Sequence, residues 1–101
     1  MGPVQGRGPV GVSDTGDTGD ALAPVAGRVL HYLVSRLVDD ATGVTIEEVA
    51  QRRGTLLEVR VGEGDMGRVI GRRGRTAGSI RSVVAAAATR DGVAVDVDFV
   101  D

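Results

Sequence analysis

Apolar and polar residues follow one another along this chain with two different periods, and the changes of period predict the order of its elements. From residue 24 to residue 38 apolar side chains recur at helical spacing, with Pro24 suited to the first turn and Asp39, Asp40 and Gly43 at the end. One apolar stripe of this first helix is therefore expected to pack against a flat layer. The apolar positions of the helix are Val25, Val29, Leu30, Leu33, Val34, Leu37 and Val38.

Two runs rich in β-branched residues come next and predict a hairpin. They span residues 44–50 and 55–61, and the sequence Gln-Arg-Arg-Gly at residues 51–54 joins them. The second run alternates apolar with charged residues, as a strand with one buried face does. The first run is irregular, because Val44 and Ile46 share one face and Val49 lies on the other, so a β-bulge is predicted there.

The last third of the chain returns twice to helical spacing before a final alternation. Residues 65–70 predict a short helix, and residues 75–90 predict a longer one that ends at Asp91 and Gly92. Residues 93–99 alternate Val and Phe with Ala and Asp, which predicts a third strand with one apolar face. The predicted order is α-β-β-α-α-β, an α+β domain whose three-stranded sheet is packed against helices on one face.

Residues 1–22 differ in composition from the rest of the chain. They hold six of the sixteen glycines and a short Asp-Thr-Gly repeat, with few large apolar side chains, so we expect a disordered tail. An acidic arm that competes for a basic site is the alternative interpretation of this tail. Residues 23–101 have room for one small domain.

Composition narrows the chemistry that this domain can support. The chain has no Cys and one His, so disulfides, thiolate chemistry, a metal site and a cofactor are not expected. Neither a signal peptide nor an apolar run of membrane-spanning length is visible, and the expected location is the cytoplasm.

The net charge of −2 conceals an uneven distribution of charge. Six of the twelve arginines fall within residues 64–90, where Asp65 is the only acid. Several of them surround Gly71-Arg72-Arg73-Gly74, which we call the Gly-Arg loop, just before the predicted long helix. Glycines allow a tight turn and close approach of a ligand, and amides at a helix start attract anions. The pattern predicts a site for a phosphate backbone.

The stretch Val-Ile-Gly-Arg-Arg-Gly at residues 69–74, set between two helices, resembles the signature of KH domains, which bind single-stranded nucleic acid. The predicted element order is similar to the type II arrangement of that family. Residues 65–77 in particular resemble the KhpA family of small bacterial proteins with a single KH domain. The resemblance covers residues 23–101.

The resemblance implies a cytoplasmic, non-enzymatic protein that binds single-stranded RNA and acts as an RNA chaperone. It also implies a homodimer, or a heterodimer with a KhpB-like KH protein, and a role in cell-wall and cell-length regulation. Neither a membrane nor a small-molecule substrate is expected as a partner. A KH loop clamps the backbone of about four nucleotides. The residues expected to contact RNA are Arg68, Ile70, Gly71, Arg72, Arg73, Gly74, Arg75 and Arg81.

Two positions depart from the wider KH pattern. Ala77 stands where many KH domains carry a bulky aliphatic residue, and Gly78 lies inside the helix. We therefore expect a shallow apolar groove for the bases beside the long helix. With one Phe, one Tyr and no Trp there is little aromatic stacking, so binding should be weak and strongly dependent on salt.

Other interpretations of these segments remain open at this point. The Gly-Arg loop is also compatible with an ordinary corner between helices, and the domain with a protein-interaction adaptor whose RNA contact is vestigial. Residues 62–67 match the Gly-x-Gly-x-x-Gly pattern of dinucleotide sites, although Glu63 and Asp65 oppose a pyrophosphate, and Asp65 is expected to cap the short helix.

Three further groups invite a functional interpretation. His31 is expected to be a partly exposed helix residue rather than a catalytic base. The acidic pairs at residues 39–40 and 47–48 are expected to be solvated charges at element ends. The alanines at residues 85–88 are expected to pack in the core, with a self-association surface as the alternative.

Overall fold

The structure, a computed structural model, describes residues 21–100. The prediction of a disordered tail falls almost wholly outside these residues. The described part has the predicted element order. Its helices are α1 (Pro24–Leu37), α2 (Met66–Ile70) and α3 (Arg75–Ala88), and its strands are β1 (Thr45–Gln51), β2 (Gly54–Arg60) and β3 (Val95–Phe99). Single 3₁₀ turns lie at Ala41–Gly43 and Arg72–Gly74.

Strand β2 lies at the centre of the sheet, antiparallel to β1 and parallel to β3. Every residue of β1 has one partner in β2, from Thr45 opposite Arg60 to Gln51 opposite Gly54. The predicted bulge in β1 is therefore wrong. The irregular pattern has a simpler cause, because Val49 lies on the outer face of the sheet, in register with Leu56 and not in the core.

One face of the sheet carries the helices and the core. Along β2 the side chains alternate between buried and partly exposed, as expected for a strand covered on one side. Helices α1 and α3 contact each other above this face. The largest fully buried side chains are Leu30, Ile46, Leu57, Val34, Val59, Val69 and Val84. This confirms the predicted α+β class with helices on one face of a three-stranded sheet.

The outer face of the sheet is acidic. Glu47 of β1, Glu58 of β2 and Asp98 of β3 are partners in register, so three carboxylates form one row across the strands. Arg60 lies 3.5 Å from Glu47 and pairs with it. The face opposite the core is thus unfavourable for a polyanion.

The first helix obtains its N-terminal caps from distant parts of the chain. Ala23 occupies the N-cap position and has no side chain able to accept a hydrogen bond. The Glu48 carboxylate accepts from the amides of Leu22 and Ala23, each at 2.8 Å. The Asp91 carboxylate accepts from the next two amides of α1, at 2.9 and 2.8 Å. The expectation that Glu48 is a merely solvated charge is wrong, because it satisfies orphan amides before the helix.

Candidate nucleic-acid interface

Helix α2 leads into the Gly-Arg loop, and a buried carboxylate fixes its start. Asp65 occupies the N-cap position of α2, but its side chain makes no capping hydrogen bond to the helix. It accepts instead from the amides of Asp39 and Asp40, at 3.1 and 3.3 Å. The predicted capping role is therefore wrong, and the reason is that Asp65 joins the segment after α1 to the start of α2.

Arg68 is drawn into the same network. Its guanidinium lies 3.0 Å from the Asp39 carboxylate and 3.2 Å from the Asp65 carboxylate. Two acids therefore compensate its charge, and the side chain braces α2. Arg68 is one of the residues expected to contact RNA, and 52% of its side chain is exposed beside these two acids.

The backbone of the Gly-Arg loop is left-handed at three of its four residues. Gly71, Arg73 and Gly74 have φ of 76°, 58° and 74°. Glycine adopts such angles freely, whereas a residue with a side chain pays about 1–2 kcal/mol. Within the part of the chain that the structure describes, Arg73 is the one residue other than glycine with positive φ. The loop thus holds an arginine in a strained conformation at its tip.

The two glycines of the loop are required for different reasons. A Cβ on Gly71 would lie 2.2 Å from Oγ1 of Thr76 and 2.6 Å from its Cβ, so a side chain does not fit there. A Cβ on Gly74 would meet nothing within 4 Å. Gly71 lets the loop pack tightly on α3, and Gly74 is needed only for its backbone conformation.

Some of the loop amides are already occupied. Those of Gly71, Gly74 and Arg75 donate to the carbonyls of Gly67, Gly71 and Arg72. Among residues 21–100, the amides of Arg72 and Arg73 donate no hydrogen bond to a carbonyl. The expected set of exposed donors is thus reduced to two neighbouring amides.

The loop side chains complete a concentrated positive site. Arg72, Arg73 and Arg75 are exposed, and none forms an ion pair with another described residue. Ile70 is half-buried against the core, so it supports the loop from below. The structure therefore brings together two amide donors and three guanidinium groups that no acid among residues 21–100 compensates.

A groove lies between α3 and the free edge of β3. Its volume is about 370 Å³, and it is lined by Arg81, Ser82, Ala85, Val95, Asp96 and Val97. Arg81 donates from Nε to the carbonyl of Val97 at 3.1 Å and lies over the Phe99 ring, 5.4 Å from its centre. The groove is lined by both apolar and polar side chains.

Two expectations about α3 need revision. Ala77 is buried and is not among the residues that line the groove. Gly78 shares the helix face of Ser82 and Ala85 by its spacing, and a Cβ on it would meet nothing within 4 Å. Of the alanines at residues 85–88, Ala88 is in the core, whereas Ala85 lines the groove.

Comparison with known proteins identifies this arrangement. The family described as KhpA/KhpB, KH domain, matches residues 28–99, which include all of the loop and the groove. The chain belongs to the KhpA/KhpB KH-domain family.

Several relatives of this KH domain carry the name RNA-binding protein KhpA. The protein of Streptomyces coelicolor is 49% identical over 74 residues, which are 73% of this chain and 92% of the relative. That of Leifsonia xyli is 47% identical over 80 residues, 79% of this chain and 97% of the relative. That of Mycobacterium tuberculosis is 40% identical over 76 residues, 75% and 94% of the two chains.

The other candidate sites of this KH domain have structural explanations. His31 lies 3.4 Å from the Ser35 hydroxyl on the same helix. A Cβ on Gly43 would lie 3.0 Å from the backbone of Gly62, which belongs to the dinucleotide-like segment at residues 62–67. The two glycines therefore allow a close contact between two backbone segments. Residues 21–100 contain no cluster of three metal-ligating side chains, and none of the helices described there is long and apolar enough to cross a bilayer.

Sequence reasoning missed part of the KH groove. Ser82, Asp96 and Val97 line it beside the predicted Arg81. Small and polar residues at four- and seven-residue spacing on α3, beginning at Gly78, were a signal for the helical wall. The contribution of β3 was not visible in the sequence, because it depends on which strand lies at the edge of the sheet.

Proposed function

We propose that this chain binds single-stranded RNA, with the sugar-phosphate backbone on the Gly-Arg loop and the bases in the groove between α3 and β3. The observation that carries the proposal is the convergence of three exposed guanidinium groups with the amides of Arg72 and Arg73, none of which has a partner among residues 21–100. Membership of the KhpA/KhpB family supports it, as does the name RNA-binding protein KhpA that its relatives carry.

The loop provides both kinds of contact that a phosphate needs. The amides of Arg72 and Arg73 donate from the backbone, and the arginine side chains add charge-assisted hydrogen bonds. The tight packing of Gly71 on Thr76 keeps this backbone in place before the ligand arrives. Less conformational freedom is then lost on binding.

The groove suits bases that leave the backbone at the loop. The Arg81 guanidinium is held by the Val97 carbonyl and the Phe99 ring, so it offers its remaining N–H donors from a fixed position. The Asp96 carboxylate and Ser82 hydroxyl supply acceptors in the same groove. Arg75 is exposed and is the first residue of α3, the helix that forms one wall of this groove.

Four further parts of the proposal rest on family resemblance alone. They are an RNA-chaperone activity, a homodimer or a heterodimer with a KhpB-like KH protein, a role in cell-wall and cell-length regulation, and a cytoplasmic location. The RNA-contact set proposed here is Ile70 as support and Gly71, Arg72, Arg73, Gly74, Arg75 and Arg81 as contacts, with Arg68 as a brace of α2.

The double substitution Arg72→Asp and Arg73→Asp tests the proposal. It changes the local charge by four units without touching the core, and Asp tolerates the left-handed backbone at residue 73. We expect loss of binding to a fluorescent single-stranded RNA in an anisotropy titration, with the melting temperature retained. The matched control is Arg28→Asp with Arg36→Asp on the exposed side of α1.

Equal RNA binding by the loop variant and the wild-type chain would contradict the proposal. If the loop variant also kept its affinity for protein partners, the domain would be an adaptor. If the control variant lost as much affinity as the loop variant, net charge and not the loop would govern binding.

A further inference from the structure

We propose that Arg52 and Arg53, at the tip of the β1–β2 hairpin, form a second phosphate-binding site at the far end of the groove from the Gly-Arg loop. This inference rests on the proposed function. It extends the RNA path beyond the loop, and its ligand is the backbone of flanking nucleotides on the same strand.

The direction of the groove places the hairpin tip at its far end. Helix α3 begins at the Gly-Arg loop, and its Arg81 contacts Val97 in the middle of β3. A six-residue connection then brings the chain from the end of α3 to the start of β3. The start of β3 therefore lies at the end of the groove remote from the loop.

The hairpin tip is fastened to that remote end. Thr55 of β2 is in register with Val95, and its amide donates to the Ala94 carbonyl at 2.9 Å. A Cβ on Gly54 would lie 2.4 Å from the same carbonyl, so the tip packs closely against the residue before β3. The two arginines therefore project from a rigid part of the sheet.

The charge of the tip is available to a ligand. Arg52 and Arg53 are the two turn residues between paired Gln51 and Gly54, and both are exposed. Within residues 21–100 neither has an ion-pair partner. Asp91, in the connection between α3 and β3, accepts from the α1 amides.

The separation of the two basic sites determines the ligand. Helix α3 has 14 residues and, at about 1.5 Å a residue, places the hairpin tip on the order of 20 Å from the Gly-Arg loop. One phosphate does not span that distance. Contact with both sites requires a strand longer than the roughly four nucleotides that a KH loop holds.

The test compares the affinities of the wild-type chain and the Arg52→Gln/Arg53→Gln variant for RNAs of two lengths. Single-stranded RNAs of four and about twelve nucleotides, of one repeated sequence, are titrated at about 50 and 200 mM salt. For the long RNA, the variant loses two phosphate contacts, each of which contributes about 0.7 to the slope of log affinity against log salt concentration, so its slope should be shallower by about 1.4. The ratio of wild-type to variant affinity should then be about sevenfold larger at the lower salt concentration than at the higher one. The short RNA should bind both proteins equally.

Two controls separate charge from folding. Arg28→Gln/Arg36→Gln on α1 removes the same charge away from the groove and should leave the difference between RNA lengths unchanged. Arg52→Lys/Arg53→Lys preserves the charge and should restore the slope, whereas a disrupted hairpin would not be rescued.

The outcomes also separate this inference from the proposed function. If wild type binds the long RNA, the Arg72→Asp/Arg73→Asp variant does not, and Arg52→Gln/Arg53→Gln binds normally, the loop site stands and the second site is overturned. An equal loss on both RNA lengths also overturns the second site. If wild type binds neither RNA, both proposals fall.

Discussion

The left-handed Arg73 makes a prediction that separates stability from binding. Replacing Arg73 by Gly removes a cost of about 1–2 kcal/mol for a side chain at positive φ and adds about 0.5–1 kcal/mol for the greater freedom of Gly in the unfolded chain. The free energy of unfolding of Arg73→Gly should therefore stay level or rise by up to about 1.5 kcal/mol.

Arg72 supplies a control of identical composition. Arg72 does not have positive φ, so replacing it by Gly relieves no backbone strain. The free energy of unfolding of Arg72→Gly should therefore fall by about 0.5–1 kcal/mol. The two variants should differ by about 1–2 kcal/mol, and each kcal/mol corresponds to about 4–8 °C in the melting temperature of a domain of this size. Thermal unfolding followed by circular dichroism measures the difference.

Binding should respond to both changes in the same direction. Each variant loses one guanidinium, so the salt dependence of RNA affinity should become shallower by about 0.7 in either case. Arg73→Gly would then be the more stable variant of the pair but no better at binding. If it melts no higher than Arg72→Gly, the loop does not hold Arg73 in a strained conformation, and the reasoning fails.

Three further substitutions probe the support around the site. Gly71→Ala should unfold at lower temperature than Gly74→Ala, because only the former places a Cβ against Thr76; equal melting temperatures would refute this. Asp65→Asn should cost about 1–3 kcal/mol in chemical denaturation, since a donor then faces amides that need an acceptor; an unchanged midpoint would contradict the network. Glu58→Gln should raise stability by roughly 0.2–1 kcal/mol at low salt and less at high salt; a gain independent of salt would exclude relief of repulsion in the acidic row.

Much of this domain follows from local pattern, and the exceptions depend on tertiary contact. The period of the apolar residues gives the element order, and the Gly-Arg loop stands out as a basic segment between helices. The prediction of a β-bulge in β1 is wrong because it takes Val49 as a core residue, whereas a residue on the outer face of a sheet can also be apolar. Asp65 has the usual position of a helix cap, yet two amides after α1 compete successfully for its carboxylate.

The site divides in the same way. The arginines of the loop predict positive charge. The sequence does not show that Arg68 pairs with two acids, one of which is distant in the chain. Nor does it show which loop amides are free. The strand side of the groove needed the sheet order, because only an edge strand has backbone groups left to face α3.

The carboxylates at the start of α1 bear on the order in which a nascent chain matures. Helix α1 is translated before Glu48, and Glu48 is translated before Asp91. We therefore expect the start of α1 to become anchored only after Asp91 has been translated. In a chain truncated before residue 91, the amide hydrogens of Val25 and Ala26 should therefore exchange far faster than in the chain that extends to residue 101.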